Sequence, residues 1–293
     1  MEFPACTNVS FVPLFLVLVS CSTILNPIFA ATTCSFPPIF NMGDSNSDTG
    51  SMSAAFTAFN LPNGETYFQT PSGRYSDGRF LIDFMARSLD LPYLSAYLDS
   101  LGANFSHGAN FAASSATIRL PQKVIPAEGG WSPFYLPVQY EQFKQFKIRA
   151  QKIREQGGIF AELMPKKEYF GQALYTFDIG QNDLSTLLVD NTPFDEVTAT
   201  IPDIIYQFTG HVKKMYELGG RSFWIHNTGP IGCLSFTLTH FPSARKDVAG
   251  CALAYKDAVL QLRKDLPLAA LTYVDVYSVK YSLFRYPSRN SNN

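Results

Sequence analysis

The stretch "PPIFNMGDSNSDTGS" runs from Pro37 to Ser51. Its first half, Pro38-Ile39-Phe40-Asn41-Met42, is an apolar run of strand length. It breaks into a small polar cluster, Gly43-Asp44-Ser45-Asn46-Ser47-Asp48, with Ser45 in its middle. A buried strand that ends in a Gly-flanked polar turn is how an α/β fold with a parallel sheet begins. Two further polar clusters follow apolar segments in the same way, Gly108-Ala109-Asn110-Phe111-Ala112 and Gly180-Gln181-Asn182-Asp183. Strand ends of a parallel sheet share one rim, so clusters distant in sequence can converge there.

The remaining pattern extends this reading. Asp77-Gly78 opens a helix with apolar Phe80, Leu81, Phe84, Met85 and Leu89, closed by Pro92. Between Gly102 and Ile118 a further strand or buried segment is expected. Ala173 to Phe177 is a strand that ends at Asp178-Ile179-Gly180. A long helix carries Ile201, Ile204, Ile205, Phe208, Val212, Met215 and Tyr216 on one face, with His211 on its polar side. Gly219-Gly220 stop it, because glycine tolerates the left-handed conformation after a helix. Arg221 to Ile225 and Leu271 to Val276 are the last two strands. No repeat or linker divides the chain, so residues 32–293 are expected to form one domain.

Composition narrows the partners. Charged residues are 16% of the chain against about 25% in an average domain. The formal net charge of −1 offers no basic field for nucleic acid. Phe11 to Leu25 is nearly all apolar, and small residues follow at Ala30, Ala31, Thr32 and Thr33. That run falls short of the ~20 residues of a membrane span and suits a cleaved secretory leader over residues 1–31. Export implies an oxidising compartment, where Cys233 and Cys251, bracketing a short polar loop, are expected to pair. Asn104-Phe105-Ser106 is a glycosylation sequon in a Gly- and Ser-containing loop.

The polar clusters suit acyl transfer. A serine at a strand-to-helix turn exposes its hydroxyl, and its own N–H can help bind a developing oxyanion. A glycine lets a backbone N–H approach a substrate, and an asparagine amide supplies a directional donor. The chain resembles the plant GDSL-type esterase/lipases within the SGNH hydrolase group. "FNMGDSNSDTG" is similar to the nucleophile block, "HGANFA" to the oxyanion-glycine block and "LYTFDIGQNDL" to the oxyanion-asparagine block. "RSFWIHNTGPIGC" and "AALTYVDVYSVKYSLF" agree as well, with strong likeness to the legume early nodulin esterases and to fucosidase-like members. The resemblance spans about Phe36 to Phe284. It implies a flavodoxin-like three-layer α/β/α sandwich with a parallel sheet of about five strands. It also implies Ser45 as nucleophile, with the N–H groups of Ser45 and Gly108 and the Asn182 side chain as oxyanion donors. The implied substrate is a small-molecule or glycan ester, and no cofactor or metal is expected.

The family's fourth block, Asp-x-x-His, has no counterpart: no Asp of this sequence has a His three residues later. The sequence runs out at "KYSLFRYPSRNSNN". Weak or no hydrolysis is therefore expected of these residues, with apolar sheet surface left open where relatives carry a closing helix. A non-catalytic binding relative and an unstable product are the alternatives. His107, at the oxyanion glycine, and His226, ending "FWIH", are both expected near the rim; the family uses neither as its base, and a structural role or substrate contact is the expected reading, with His226 ranking first among substitutes. His240 falls in a loop. Gly-x-Ser-x-Gly, His-Glu-x-x-His and P-loop patterns are absent, which excludes ordinary α/β-hydrolase, zinc-protease and P-loop readings.

Overall fold

The computed structural model describes residues 35–56, 58, 60–121, 132–240 and 249–286. The leader at 1–31 lies outside the described residues. Five strands are found among them: β1 (Ile39–Gly43), β2 (Gly108–Asn110), β3 (Leu174–Asp178), β4 (Ser222–His226) and β5 (Ala270–Val274). All neighbours are parallel, in the order β2-β1-β3-β4-β5. This is the flavodoxin-like order, and it places the ends of β1 and β3 beside one another at the carboxyl rim.

The helices that matter for the site are α1 (Ser51–Ala55), α2 (Leu81–Ser88), α3 (Leu136–Gln156), α4 (Gln181–Val189), α5 (Ile201–Glu217), α6 (Ala249–Asp265) and α7 (Val276–Arg285). Alternation along the strands sorts the two faces. Phe40, Met42, Tyr175, Phe177, Phe223 and Ile225 are all buried in the main core with residues of α3, α5 and α6. Ile39, Leu174 and Trp224 belong to a second core, closed by Phe80, Ile82, Met85 and Ala86. Helices thus cover the sheet on both sides, as expected of a three-layer sandwich.

Phe40 is the centre of the main core. Its ring lies 5.1 Å from Phe143, 5.2 Å from Phe170 and 5.6 Å from Tyr175. Full burial of such a ring contributes about 1.5–3 kcal/mol, before the extra from edge-to-face contacts. The strand that delivers Ser45 is therefore anchored two layers deep.

Four expectations are corrected. The buried side of α2 is Ile82, Met85 and Ala86, whereas Leu81 and Phe84 are 47% and 49% exposed. Asp83 decides this: it accepts from the Phe80 N–H at 2.9 Å and pairs with buried Arg74 at 2.9 Å, which turns the helix by about a residue. His211 is buried, with Nδ1 2.8 Å from the Gln207 carbonyl and its ring against Tyr140. No bond joins Cys233 and Cys251. Cys251 is turned into the core, where burial pushes its thiol up to about 12. Finally, His107 lies at the start of β2, beside Pro37, at the end of the sheet away from Ser45.

Candidate active site

Gly43 ends β1 beyond the last paired residue of β2, and its N–H needs a partner on that side. Gln139 of α3, fully buried, supplies it: Gly43 N–H donates to Oε1 at 3.0 Å, and Nε2 donates to the Gly43 carbonyl at 2.8 Å. The Gly43 carbonyl thus takes two donors, this amide and the Ala113 N–H of the loop after β2. On the β3 side, the Asp44 N–H donates to the Asp178 carbonyl at 3.2 Å. A side chain at Gly43 would meet Ser47 Oγ at 2.3 Å, so glycine is required by close packing.

Beneath the turn runs a buried polar row. Asn41 Nδ2 donates to Ser47 Oγ at 3.0 Å and to Asn110 Oδ1 at 2.7 Å. Thr176 Oγ1 donates to Asn41 Oδ1 at 2.6 Å, and Asn110 Nδ2 donates to the Ser47 carbonyl at 2.6 Å. A satisfied network of this kind stiffens what it holds, because each member would be costly to leave unpaired. Ser45 and Asn46 stay half-exposed at the apex, while Ser47 and Asp48 are buried.

The third cluster opens α4 beside this turn. Gly180 has φ +113°, and a side chain there would meet the Tyr255 hydroxyl at 2.3 Å. That hydroxyl donates to the Ile179 carbonyl at 2.7 Å and so pins the end of β3. Asn182, in the first turn of α4, donates one Nδ2 hydrogen to the Ala116 carbonyl at 2.9 Å. The second hydrogen of that amide has no partner given among the described residues.

Gly108 does not join this site. Its register partner is Ile39, four residues before Gly43, which puts it about 13 Å back along the sheet. Its N–H is already donated to the Phe105 carbonyl at 3.0 Å. What reaches the rim from β2 is the loop after it. There Ala113 N–H donates to the Gly43 carbonyl and Ala116 N–H to the Ala113 carbonyl. Ser114 N–H donates to Asp48 Oδ2 at 2.7 Å. Between them, half-exposed Ser115 has φ +62°, and its N–H is the one of this run without a partner given among the described residues. A left-handed serine is uncommon and marks a turn whose amide is aimed by its surroundings. Sequence reading missed Ser115, because only its backbone conformation sets it apart.

Comparison with known proteins bears on these residues as a set. Residues 39–285 match the family model described as GDSL-like Lipase/Acylhydrolase. The chain belongs to that family. An esterase of Hevea brasiliensis is 58% identical over 99% of this chain and 76% of its own length. The GDSL esterase/lipase ENOD8 of Medicago truncatula is 50% identical, covering 99% of this chain and 78% of the relative. Alpha-L-fucosidase 3 of Arabidopsis thaliana is 50% identical over 89% of this chain and 73% of its own length. Membership in the GDSL family makes the chain a hydrolase acting on ester bonds.

In this GDSL chain the groups under Ser45 are acidic. Asp44 is 1% exposed; burial, and then the Asp178 carboxylate, push its carboxyl well above the usual range, against an N–H bond from Asn46. Its Oδ2 is buried without a hydrogen-bond partner. Asp178, on the other side, faces His226 Nδ1 at 3.2 Å. His226 does stand at the carboxyl rim, at the end of β4, but its nearest recorded partner is Asp178 rather than Ser45. Among the described residues, no cluster of three or more His, Cys, Asp or Glu could hold a metal ion.

A raised Asp44 couples stability to pH. The unfolded chain releases this proton near pH 4, whereas the folded chain holds it well above that. Stability is then greatest below pH 4 and declines by up to about 1.4 kcal/mol per pH unit until the folded group ionises. Asp44→Asn keeps an acceptor for Asn46 N–H and has no proton to lose. It is expected to flatten the decline of Tm between pH 4 and 7 and to match or exceed wild type at pH 7. A Tm more than about 6 °C below wild type at pH 7 would mean that the ionised carboxylate is needed.

Proposed function

We propose that the chain is a secreted GDSL-type serine ester hydrolase acting by an acyl-enzyme route on small-molecule or glycan esters. Residues 32–293 form its single hydrolase domain behind a leader at 1–31. One observation carries the reading: a single loop accepts from Asn182 at Ala116 and is tied through Ser114 to Asp48, three residues from Ser45. Ser45 Oγ attacks the acyl carbon, and the alcohol leaves. Water then releases the acid from the acyl-serine. The oxyanion accepts from the N–H groups of Ser45 and Ser115 and from Asn182 Nδ2. Asn104, exposed in the turn before β2, is the glycan acceptor, and a sugar there stands at the end of the sheet away from Ser45. The apolar run Phe11 to Leu25 supports export to the cell wall or apoplast. No described helix is long and apolar enough to cross a membrane.

The 293 residues hold no Asp-x-x-His pair, and the chain spans 76% and 78% of the Hevea and Medicago relatives. Among the described residues no histidine is paired with Ser45, so the 293 residues by themselves are expected to hydrolyse weakly. With His226 turned to Asp178 rather than to Ser45, a second reading is a binding relative that keeps the cleft without turnover. Both are tested with p-nitrophenyl acetate and butyrate, using the 293-residue chain and the same chain extended by a relative's Asp-x-x-His segment. The extension is expected to raise kcat by at least ~10³, since the serine and its base act as a unit. An extended, folded chain no faster than the shorter one would favour the binding reading.

A further inference from the structure

Two carboxylates near the proposed catalytic residues have no role in the chemistry above. Asp48 is 0% exposed and receives the N–H groups of Gly50 at 2.9 Å, Ser51 at 2.6 Å and Met52 at 3.2 Å, which caps α1. Its remaining bond crosses to another segment, the Ser114 N–H at 2.7 Å. Asp183 is 2% exposed and follows Asn182 directly. It receives the Ile118 N–H at 2.7 Å and the Arg119 N–H at 3.0 Å, with Arg119 Nε at 3.4 Å. The loop with the left-handed Ser115 is therefore held at both ends: by the nucleophile's turn on one side and by the asparagine's helix on the other.

We infer that Asp48 and Asp183 are positioning residues that jointly set the Ser115 amide between Ser45 and Asn182, an inference resting on the hydrolase reading above. Each carboxylate lies three residues or fewer from a residue of the proposed site, so the three segments of the oxyanion pocket are locked into one register. The bonds run from backbone N–H groups to both oxygens of each acid. An asparagine in either place keeps its size but must turn its NH₂ group toward the donors of one oxygen. At position 48 this breaks the bonds from Gly50 and Ser51 or those from Met52 and Ser114, and at position 183 the bond from Ile118 or those from Arg119. The loop then loses its fixed position, and the oxyanion loses an aimed donor.

The experiment compares wild type, Asp48→Asn and Asp183→Asn in the 293-residue chain. Amide exchange of residues 113–119 is followed by NMR, together with kcat and KM on p-nitrophenyl acetate. An oxyanion pocket sustains about 10³–10⁴ over water even where a triad is incomplete, so this assay reads the pocket itself. Each variant is expected to exchange at least ~10-fold faster across the loop and to lose ~10–100-fold in kcat, with KM within about threefold. A folded variant with faster loop exchange and unchanged kcat overturns the inference, as does a loss confined to KM. Should neither variant fold, wild type decides: the Ser114, Ile118 and Arg119 amides must be protected, and exchange at the rate of an open chain refutes the tethers. Wild type no faster than buffer would count against the hydrolase reading instead, and the exchange data would still judge the tethers.

Discussion

Gly108→Ala is expected to cost more than 4 kcal/mol of stability, enough to lower Tm by at least about 8 °C or to prevent folding altogether. A Cβ on Gly108 would lie 1.8 Å from the Ile39 carbonyl oxygen and 2.7 Å from its carbon. Both atoms are backbone of β1, an interior strand of the sheet, so no rotamer change can relieve the overlap. The φ of +112° adds a left-handed strain that alanine tolerates poorly. Relief would require β1 and β2 to separate, and that separation would propagate to the Asn41–Asn110 bond and the turn above it. Thermal unfolding of the purified variant is the measurement. A variant with unchanged Tm and a fall in kcat would return Gly108 to the oxyanion pocket, against its register with Ile39.

Ser45→Ala is expected to act very differently in two settings. In the chain extended by an Asp-x-x-His segment, it should lower kcat on p-nitrophenyl acetate by up to about 10⁶, the scale found for a serine that works with its histidine. In the 293-residue chain the same substitution should change the rate by less than about tenfold, because the unit is already broken and the pocket alone sustains what remains. KM should move little in either case, since Ser45 is half-exposed at the apex. Full activity of the extended Ser45→Ala chain would remove Ser45 as nucleophile. A loss of 10⁶ already in the shorter chain would mean that one of its own histidines serves as base, His226 first among them.

Four of the five strands are legible locally in the sequence. β1, β3, β4 and β5 announce themselves as short apolar runs between Gly, Pro and polar residues, and their βα alternation already implies a parallel sheet. Ser45 and Asn182 follow from the same logic, because each stands in the first turn after a strand end. The long helix α3 was not singled out, for a physical reason. Its buried side includes Gln139, whose polarity is consumed by the Gly43 backbone, so the apolar stripe that marks a helix is interrupted at the point that serves the site.

What failed was whatever depends on register or direction. Gly108 has the composition of an oxyanion glycine, but pairing with Ile39 sends it to the far end of β2. Cys233 and Cys251 lie close in sequence, yet Cys251 points into the core. The buried side of α2 was settled by the Arg74–Asp83 pair, a contact across nine residues that periodicity does not see. By itself, then, the sequence determined the fold class, the family and the polar turn that carries Ser45, because strand pattern and turn chemistry are local properties of the chain. Only the tertiary structure showed that Gly108 stands back along β2 while Ser115 reaches the rim, and that Asp48 and Asp183 accept N–H groups from its loop. A backbone amide carries no residue-type signature, and its direction is set by bonds to segments tens of residues away.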